Sequence, residues 1–220
     1  MKHYTSMSEV TAIRDRLLAA RVIPVLRIDS VEQARAVIDC LLEAGFTTVE
    51  IALTTPGAVQ LIAELRSRVA SSFLVGAGTV LDGQQARHCI DAGADYLVSP
   101  CAPPGIAALA HEAGRAVLLG AFTPSEVQAA IRERSDIVKL FPASSGGPSH
   151  LAALRAVFPD ATFCPTGGVA AENMAAYFRA GAAVVGVGNS IIDSEALSSN
   201  DGPRMVAHAK RYLELAAAAE

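Results

Sequence analysis

The sequence predicts an α/β chain closed into a (β/α)8 barrel with an extra N-terminal helix. Three observations carry that expectation. Eight short, near-continuous apolar segments recur along the chain, the pattern of strands buried on both faces in a parallel sheet. Helix-length amphipathic segments separate them. Four of those helices close on one signature, a charged residue, then Ala, then Gly: Glu43-Ala44-Gly45, Asp91-Ala92-Gly93, Glu112-Ala113-Gly114 and Arg179-Ala180-Gly181. Glycine there is the left-handed residue that ends a helix. Eight such units in about 190 residues fit a compact barrel. One domain over residues 1–220 is expected, with no linker; an open doubly wound sheet is the alternative.

The elements follow in order. A helix over residues 8–20 precedes the barrel. Strand one reads VIPVLR (22–27), and Ser30 with Gln33 forms a capping box that opens the next helix. Strand two is TTVEIAL (47–53) and strand three FLVGAGTV (73–80), after which Asp82 with Gln85 repeats the cap. Strand four is YLVSP (96–100) and strand five AVLLGAF (116–122). Thr123-Pro124-Ser125-Glu126 then combines a capping box with proline at the first helical position. Strands six to eight are IVKLFP (137–142), TFCPTGG (162–168) and AVVGVG (183–188), and a last helix covers about residues 203–219.

Composition narrows the function. The 220 residues are 51% hydrophobic and 18% charged, as in one soluble globular domain. A net charge of −4 with scattered basic residues points away from nucleic acid and anionic membranes. The segment MKHYTSMSEV has no apolar signal-peptide core, and no apolar run approaches the roughly 18 residues of a membrane span. A cytoplasmic protein is expected. Cys40, Cys89, Cys101 and Cys164 stand apart within apolar segments and read as reduced core thiols.

In such barrels the chemistry sits at the C-terminal ends of the strands. Glu50 and Lys139 are each the lone charged residue inside an apolar strand. The chain holds 15 Arg but only 3 Lys, and Lys139 alone of the three lies in an apolar segment. An isolated charge in an apolar interior is costly, so Lys139 needs a partner, a route to water or a chemical use. One reading is a buried ion pair that fixes register. The other is an amine made nucleophilic by desolvation, with a carboxylate nearby to move protons. Such an amine forms an imine with a ketone, and the protonated imine is an electron sink for carbon–carbon cleavage.

The other strand ends are rich in glycine. Thr166-Gly167-Gly168 and Gly188-Asn189-Ser190 close strands seven and eight, a common phosphate position in barrels, and Ser190 offers a hydroxyl. Gly76-Ala77-Gly78-Thr79 reads as a loop whose amides and hydroxyl hold a small carboxylate. Each also reads as an ordinary turn. His3, His88, His111, His150 and His208 show no metal-ligand spacing, so no metal site is expected.

The motifs VEIALTTP, VGAGTVL, VSP, VKLFPA and FCPTGGV, in this order, resemble those of the 2-keto-3-deoxy-6-phosphogluconate aldolases. That family includes the 4-hydroxy-2-oxoglutarate and 2-keto-3-deoxy-6-phosphogalactonate aldolases. The resemblance covers about residues 10–215 and implies a class I aldolase on a TIM barrel, usually a homotrimer. It implies that no cofactor is needed beyond a covalent imine between Lys139 and the keto acid. The partners implied are that keto acid and a phosphorylated aldehyde, with pyruvate and D-glyceraldehyde 3-phosphate as products. Lys139 falls on the Schiff-base lysine, Glu50 on the general acid/base, and Thr79 where the carboxylate is held. Pro100 and Phe141 fall on pocket walls and Thr166 beside the substrate. Gly167, Gly168, Gly188 and Ser190 fall at the phosphate site, and Arg27 faces bound anions.

Two departures stand out. Some members carry Arg in the strand-two loop where this chain has Thr54; either Arg27 takes over that charge or backbone amides hold the carboxylate. The strand-eight loop reads Gly188-Asn189-Ser190 in place of Gly-Gly-Ser, and Asn tolerates left-handed geometry there. A phosphosugar isomerase or epimerase, and a non-catalytic ligand-binding barrel, remain as rivals.

Overall fold

In the computed structural model, which describes residues 2–219 and side chains from residue 7 onward, all eight expected strands form one parallel sheet. They are β1 (Val22–Leu26), β2 (Thr48–Ala52), β3 (Leu74–Gly78), β4 (Tyr96–Val98), β5 (Ala116–Ala121), β6 (Ile137–Leu140), β7 (Phe163–Pro165) and β8 (Val185–Val187). The strands run in the order β7-β6-β5-β4-β3-β2-β1-β8, and a parallel bridge between Thr166 and Gly186 brings the two ends together. The open doubly wound alternative is therefore excluded: the ends of the sheet meet.

The helices are α1 (Lys2–Ala20), α2 (Val31–Ala44), α3 (Ala58–Arg68), α4 (Gly83–Asp91), α5 (Ile106–Glu112), α6 (Pro124–Arg132), α7 (Gly147–Val157), α8 (Met174–Arg179), a short α9 (Ser194–Ser198) and α10 (Gly202–Ala218). α1 starts six residues before the expected residue 8. The four signature glycines all take left-handed backbone, at φ 98° (Gly45), 91° (Gly93), 71° (Gly114) and 96° (Gly181). After α6 the same turn is made by Arg134 at φ 63°, which is why the signature is missing there. Only Thr123 and Glu126 make the full reciprocal capping box. Ser30 and Asp82 each accept from the third residue on, but the return bond is different. Gln85 reaches back to Leu81 N–H instead, and Gln33 makes no return bond.

Side chains alternate inward and outward along each strand. The inward residues at the strand starts include Ile23, Leu74, Tyr96, Ala116 and Ile137, and they form one apolar cluster with Val10, Ile13 and Leu17 of α1. Helix α1 thereby covers the N-terminal end of the barrel. A second, larger core lies between the sheet and the outer helices. The same alternation, continued upward, turns Arg27, Glu50, Lys139 and Thr166 inward at the opposite end. Cys89 and Cys164 are buried as expected, whereas Cys40 is half-buried and Cys101 exposed. Cys101 lies on the loop after β4, outside the core, despite its apolar sequence neighbours.

Candidate active site

Register and the period of two bring the chemistry together. Glu50 is the third residue of β2, hydrogen-bonded in register with Val25 on one side and Gly76 on the other. Lys139 is the third residue of β6, between Gly120 and Cys164. From opposite sides of the barrel their side chains meet: Lys139 Nζ donates to Glu50 Oε1 at 3.4 Å. Both are buried, with 6% and 3% of their side chains exposed. The ammonium also lies 5.6 Å from the ring centre of Phe141. Lys139 thus has both a partner and an opening, because it lines a cavity of about 380 Å³ at the C-terminal end of the barrel.

Glycines make room for this pair. A Cβ on Gly78 would stand 2.0 Å from Glu50 Oε1 and 2.7 Å from its carboxyl carbon. One on Gly186 would stand 2.3 Å from Thr166 Oγ1. One layer lower, Gly76 leaves space for the ring of Tyr96, whose hydroxyl lies 2.9 Å from Thr48 Oγ1. Burial, reinforced by the Glu50 carboxylate, pushes the Tyr96 phenol well above its ordinary value. Burial pushes the Cys164 thiol up to about 12, with only partial relief from its contact with Thr166. The layer beneath Lys139 therefore stays uncharged.

The cavity walls include Arg27, Phe141, Thr166, Gly167, Gly168, Gly188 and Ser190, all named from the sequence. Glu50 reaches it through Lys139. Arg27 is exposed and makes no salt bridge or hydrogen bond among the described residues, so its charge is available to an anion. Pro100 lies in an adjoining cavity of about 200 Å³, with Phe141 as the shared wall. Thr54 does not enter: it is exposed on the turn after β2. Its neighbour Thr55 is the buried member, accepting from Ile28 N–H and donating to the Leu26 carbonyl, which fastens the segment around Arg27.

Two glycine-rich readings need correction. Gly76, Ala77 and Gly78 belong to β3 and not to a loop, and the Gly78 carbonyl accepts from Leu53 N–H. Thr79 follows at φ 60°, a left-handed conformation that is uncommon for a β-branched side chain. Strain of this kind costs about 1–3 kcal/mol and persists where surrounding structure imposes it. Neither the N–H nor the hydroxyl of Thr79 has a partner among the described residues. Asn189 does not use left-handed geometry. It starts a 3-10 turn, Asn189–Ile191, after Gly188 at φ −85°.

The end of the cavity formed by the loops after β7 and β8 presents mainly backbone. Gly167 and Gly168 are left-handed at φ 90° and 79°. The N–H groups of Gly167, Gly168, Val169, Asn189 and Ser190 have no acceptor among the described residues, and all five residues line the cavity. Successive amides left free in this way form an anion-binding concavity. The Ser190 hydroxyl is occupied, donating to the Val169 carbonyl at 3.0 Å. What Ser190 offers an anion is its N–H. Asn189 lies in the loop expected at this end from the sequence; Val169 was not singled out, since an amide carries no residue signature.

Among the described residues no three His, Cys, Asp or Glu gather as a metal-ligand cluster. His111 pairs with Asp136, while His150 and His208 bond to the carbonyls of Phe122 and Ser190. The side chains of Lys2 and His3 lie outside the described residues. Among the described residues no helix is long and apolar enough to cross a membrane.

Comparison with known proteins identifies the family and bears out the fold. The family model for KDPG and KHG aldolase matches residues 13–208. A probable 2-dehydro-3-deoxy-6-phosphogalactonate aldolase of Rhizobium meliloti is 37% identical over 77% of this chain and 81% of its own. A 2-dehydro-3-deoxy-phosphogluconate aldolase of Pseudomonas aeruginosa is 37% identical over 78% of this chain and 79% of its own. The crystal structure of a KDPG aldolase from Legionella pneumophila, with pyruvate captured as a covalent carbinolamine, superimposes with a TM-score of 0.79. It is 29% identical and covers 94% of this chain and 97% of its own.

Proposed function

The chain belongs to the KDPG and KHG aldolase family and is therefore an aldolase, a lyase, and from that premise we propose that it cleaves 2-keto-3-deoxy-6-phosphogluconate through an imine on Lys139. The observation that carries this reading is the buried amine of Lys139 in the cavity wall, 3.4 Å from the Glu50 carboxylate.

The amine attacks C2 of the keto acid in its neutral form, with Glu50 placed to accept the proton that must leave. The carbinolamine loses water to give a protonated imine. Glu50, through a bound water, moves these protons. It then takes the C4 hydroxyl proton as the C3–C4 bond breaks, and the bonding electrons flow from C3 into the imine. D-Glyceraldehyde 3-phosphate leaves and the enamine of pyruvate remains. Protonation at C3 and hydrolysis release pyruvate and restore the amine. No cofactor is required in this scheme, since the imine is the electron sink.

Thr79, with its free hydroxyl and N–H, and Arg27, in place of an arginine at position 54, hold the keto-acid carboxylate. The five free amides hold the phosphate. Binding energy gathered there orients the reacting carbon over Lys139. Phe141 walls the pocket, Pro100 lies across it in the adjoining cavity, and Thr166 lies beside the substrate.

The relative named for the galactonate substrate supports a second reading, the C4-epimeric 2-keto-3-deoxy-6-phosphogalactonate. Cleavage of 4-hydroxy-2-oxoglutarate to pyruvate and glyoxylate is the third. Comparing kcat/KM for the three compounds ranks them. The proposal also makes the protein a cytoplasmic homotrimer, as the family resemblance implies; light scattering of the purified chain checks the trimer. Borohydride trapping with pyruvate tests the core of the reading. A single reduced pyruvyl adduct mapped to Lys139 supports it, and a folded protein that binds pyruvate without an adduct overturns it.

A further inference from the structure

The carbonyl of Ser190 accepts two hydrogen bonds from the last helix. His208 Nε2 lies 2.9 Å from it and the Tyr212 hydroxyl 2.6 Å. A carbonyl has two lone pairs, so both bonds form at once, and both partners must donate. His208 therefore carries a proton on Nε2. The two residues are four apart on α10 and share a face. Their rings meet edge-on with centroids 5.6 Å apart.

This carbonyl belongs to the peptide whose N–H, on Ile191, bonds to Gly188 O at 3.0 Å. Donation from α10 polarises that peptide and strengthens the bond that closes the 3-10 turn. The same residue's hydroxyl ties the turn to Val169. Ser190 thus joins α10, the β8 turn and the β7 loop, and the last two carry all five free amides. A 3-10 turn of three residues has little internal structure to hold its amides in one direction.

We propose that His208 and Tyr212 are positioning residues that set the affinity for the phosphorylated end of the substrate. They clamp Ser190 so that the Asn189 and Ser190 amides converge with those of Gly167, Gly168 and Val169. The inference rests on the reading of those amides as the phosphate site. Neither residue touches the reacting atoms.

The test runs in the condensation direction, with pyruvate and either D-glyceraldehyde 3-phosphate or unphosphorylated D-glyceraldehyde. Tyr212→Phe keeps the buried ring and removes one donor, so its KM for the phosphorylated aldehyde should rise by about 3–10-fold. Adding His208→Leu should raise it by roughly 10–100-fold. KM for pyruvate, the rate of borohydride trapping and KM for D-glyceraldehyde should stay at wild-type values. His208→Gln, which keeps an N–H donor, should recover most of the His208 effect. Equal rises for both aldehydes would overturn the inference and leave only a structural role. So would no rise for either. If the wild type shows no preference for the phosphorylated aldehyde, the phosphate reading itself fails, and the clamp with it. Thermal melting confirms folding, and Tyr212→Phe alone carries the test if the double variant does not fold.

Discussion

The two ends of the cavity are built on different principles. At the end where the proposal places the imine, two charged side chains from opposite strands meet, buried at the cavity wall, and glycines without Cβ atoms leave the space they fill. At the anion end the chemistry belongs to the main chain, and side chains from elsewhere only hold it in place. Side chains suit proton and carbon chemistry, which needs one atom of defined basicity at one point. Amides suit a phosphate, whose charge is spread over several oxygens. The first end should fail through kcat when altered, and the second through KM.

The largest expected break is at Lys139. Lys139→Met abolishes aldol cleavage while circular dichroism still reports a folded barrel; retained turnover would remove the imine from the mechanism. Glu50→Gln follows, slowing turnover by about 10²–10⁴-fold. Single-turnover assays check this, and an unchanged rate would show that Glu50 is only a partner in an ion pair. Gly78→Ala probes the same end through space alone. The added methyl would overlap the carboxylate at 2.0 Å, and Gly78 is not among the left-handed residues, so the backbone accepts alanine. A displacement of about 1 Å can lower the rate by about 10²-fold, so kcat should fall by up to that factor. KM for the phosphorylated substrate should hardly move. If KM rises instead, the two ends are not separable.

Ser190→Asp attacks the other end. A carboxylate beside the free amides should raise KM roughly 10-fold or more for phosphorylated substrates. Non-phosphorylated substrates should be far less affected, and equal effects would place the phosphate elsewhere.

The smallest effect concerns the thiols. Burial pushes Cys89 up to about 11 and Cys164 up to about 12. Between the ordinary thiol value and those values the unfolded chain loses protons that the folded chain keeps. Stability from this source is complete below pH 9 and declines as pH rises through that window. Iodoacetamide at pH 8 should label the exposed Cys101 first and leave Cys89 and Cys164 unmodified, as read by peptide mass. Rapid labelling of Cys164 would mean that the layer under Lys139 admits water and reagent.

Legibility followed the same division. Glu50 and Lys139 stood out because a charge in an apolar run is a local anomaly that any window reveals. Thr79 was readable by its motif, and its left-handed backbone was not. Gly78 is visible as a glycine, but the GAGT run suggests a loop, and only β3's pairing with β2 shows that the missing Cβ is space for Glu50. Thr54 and Thr55 differ by one position, and alternation alone could not say which hydroxyl turned inward after the strand ended. His208 and Tyr212 gave no signal, because nothing in their helix marks them as neighbours of Ser190, 18 and 22 residues away.

What the sequence determined by itself is the set of local choices. Eight apolar strands, the glycine caps, the capping residues and the two buried charges follow from periods and turn chemistry that act over a few residues. Tertiary structure alone decided what converges. Lys139 and Glu50 are 89 positions apart, and they meet only because the closed sheet staggers β2 and β6 so that both third residues point at one spot. Closure likewise gathers five residues with unpaired amides, from two loops, around one cavity and lays the last helix against the turn that carries two of them. Distances across a barrel depend on strand tilt and stagger, which are properties of the whole sheet and of no single segment.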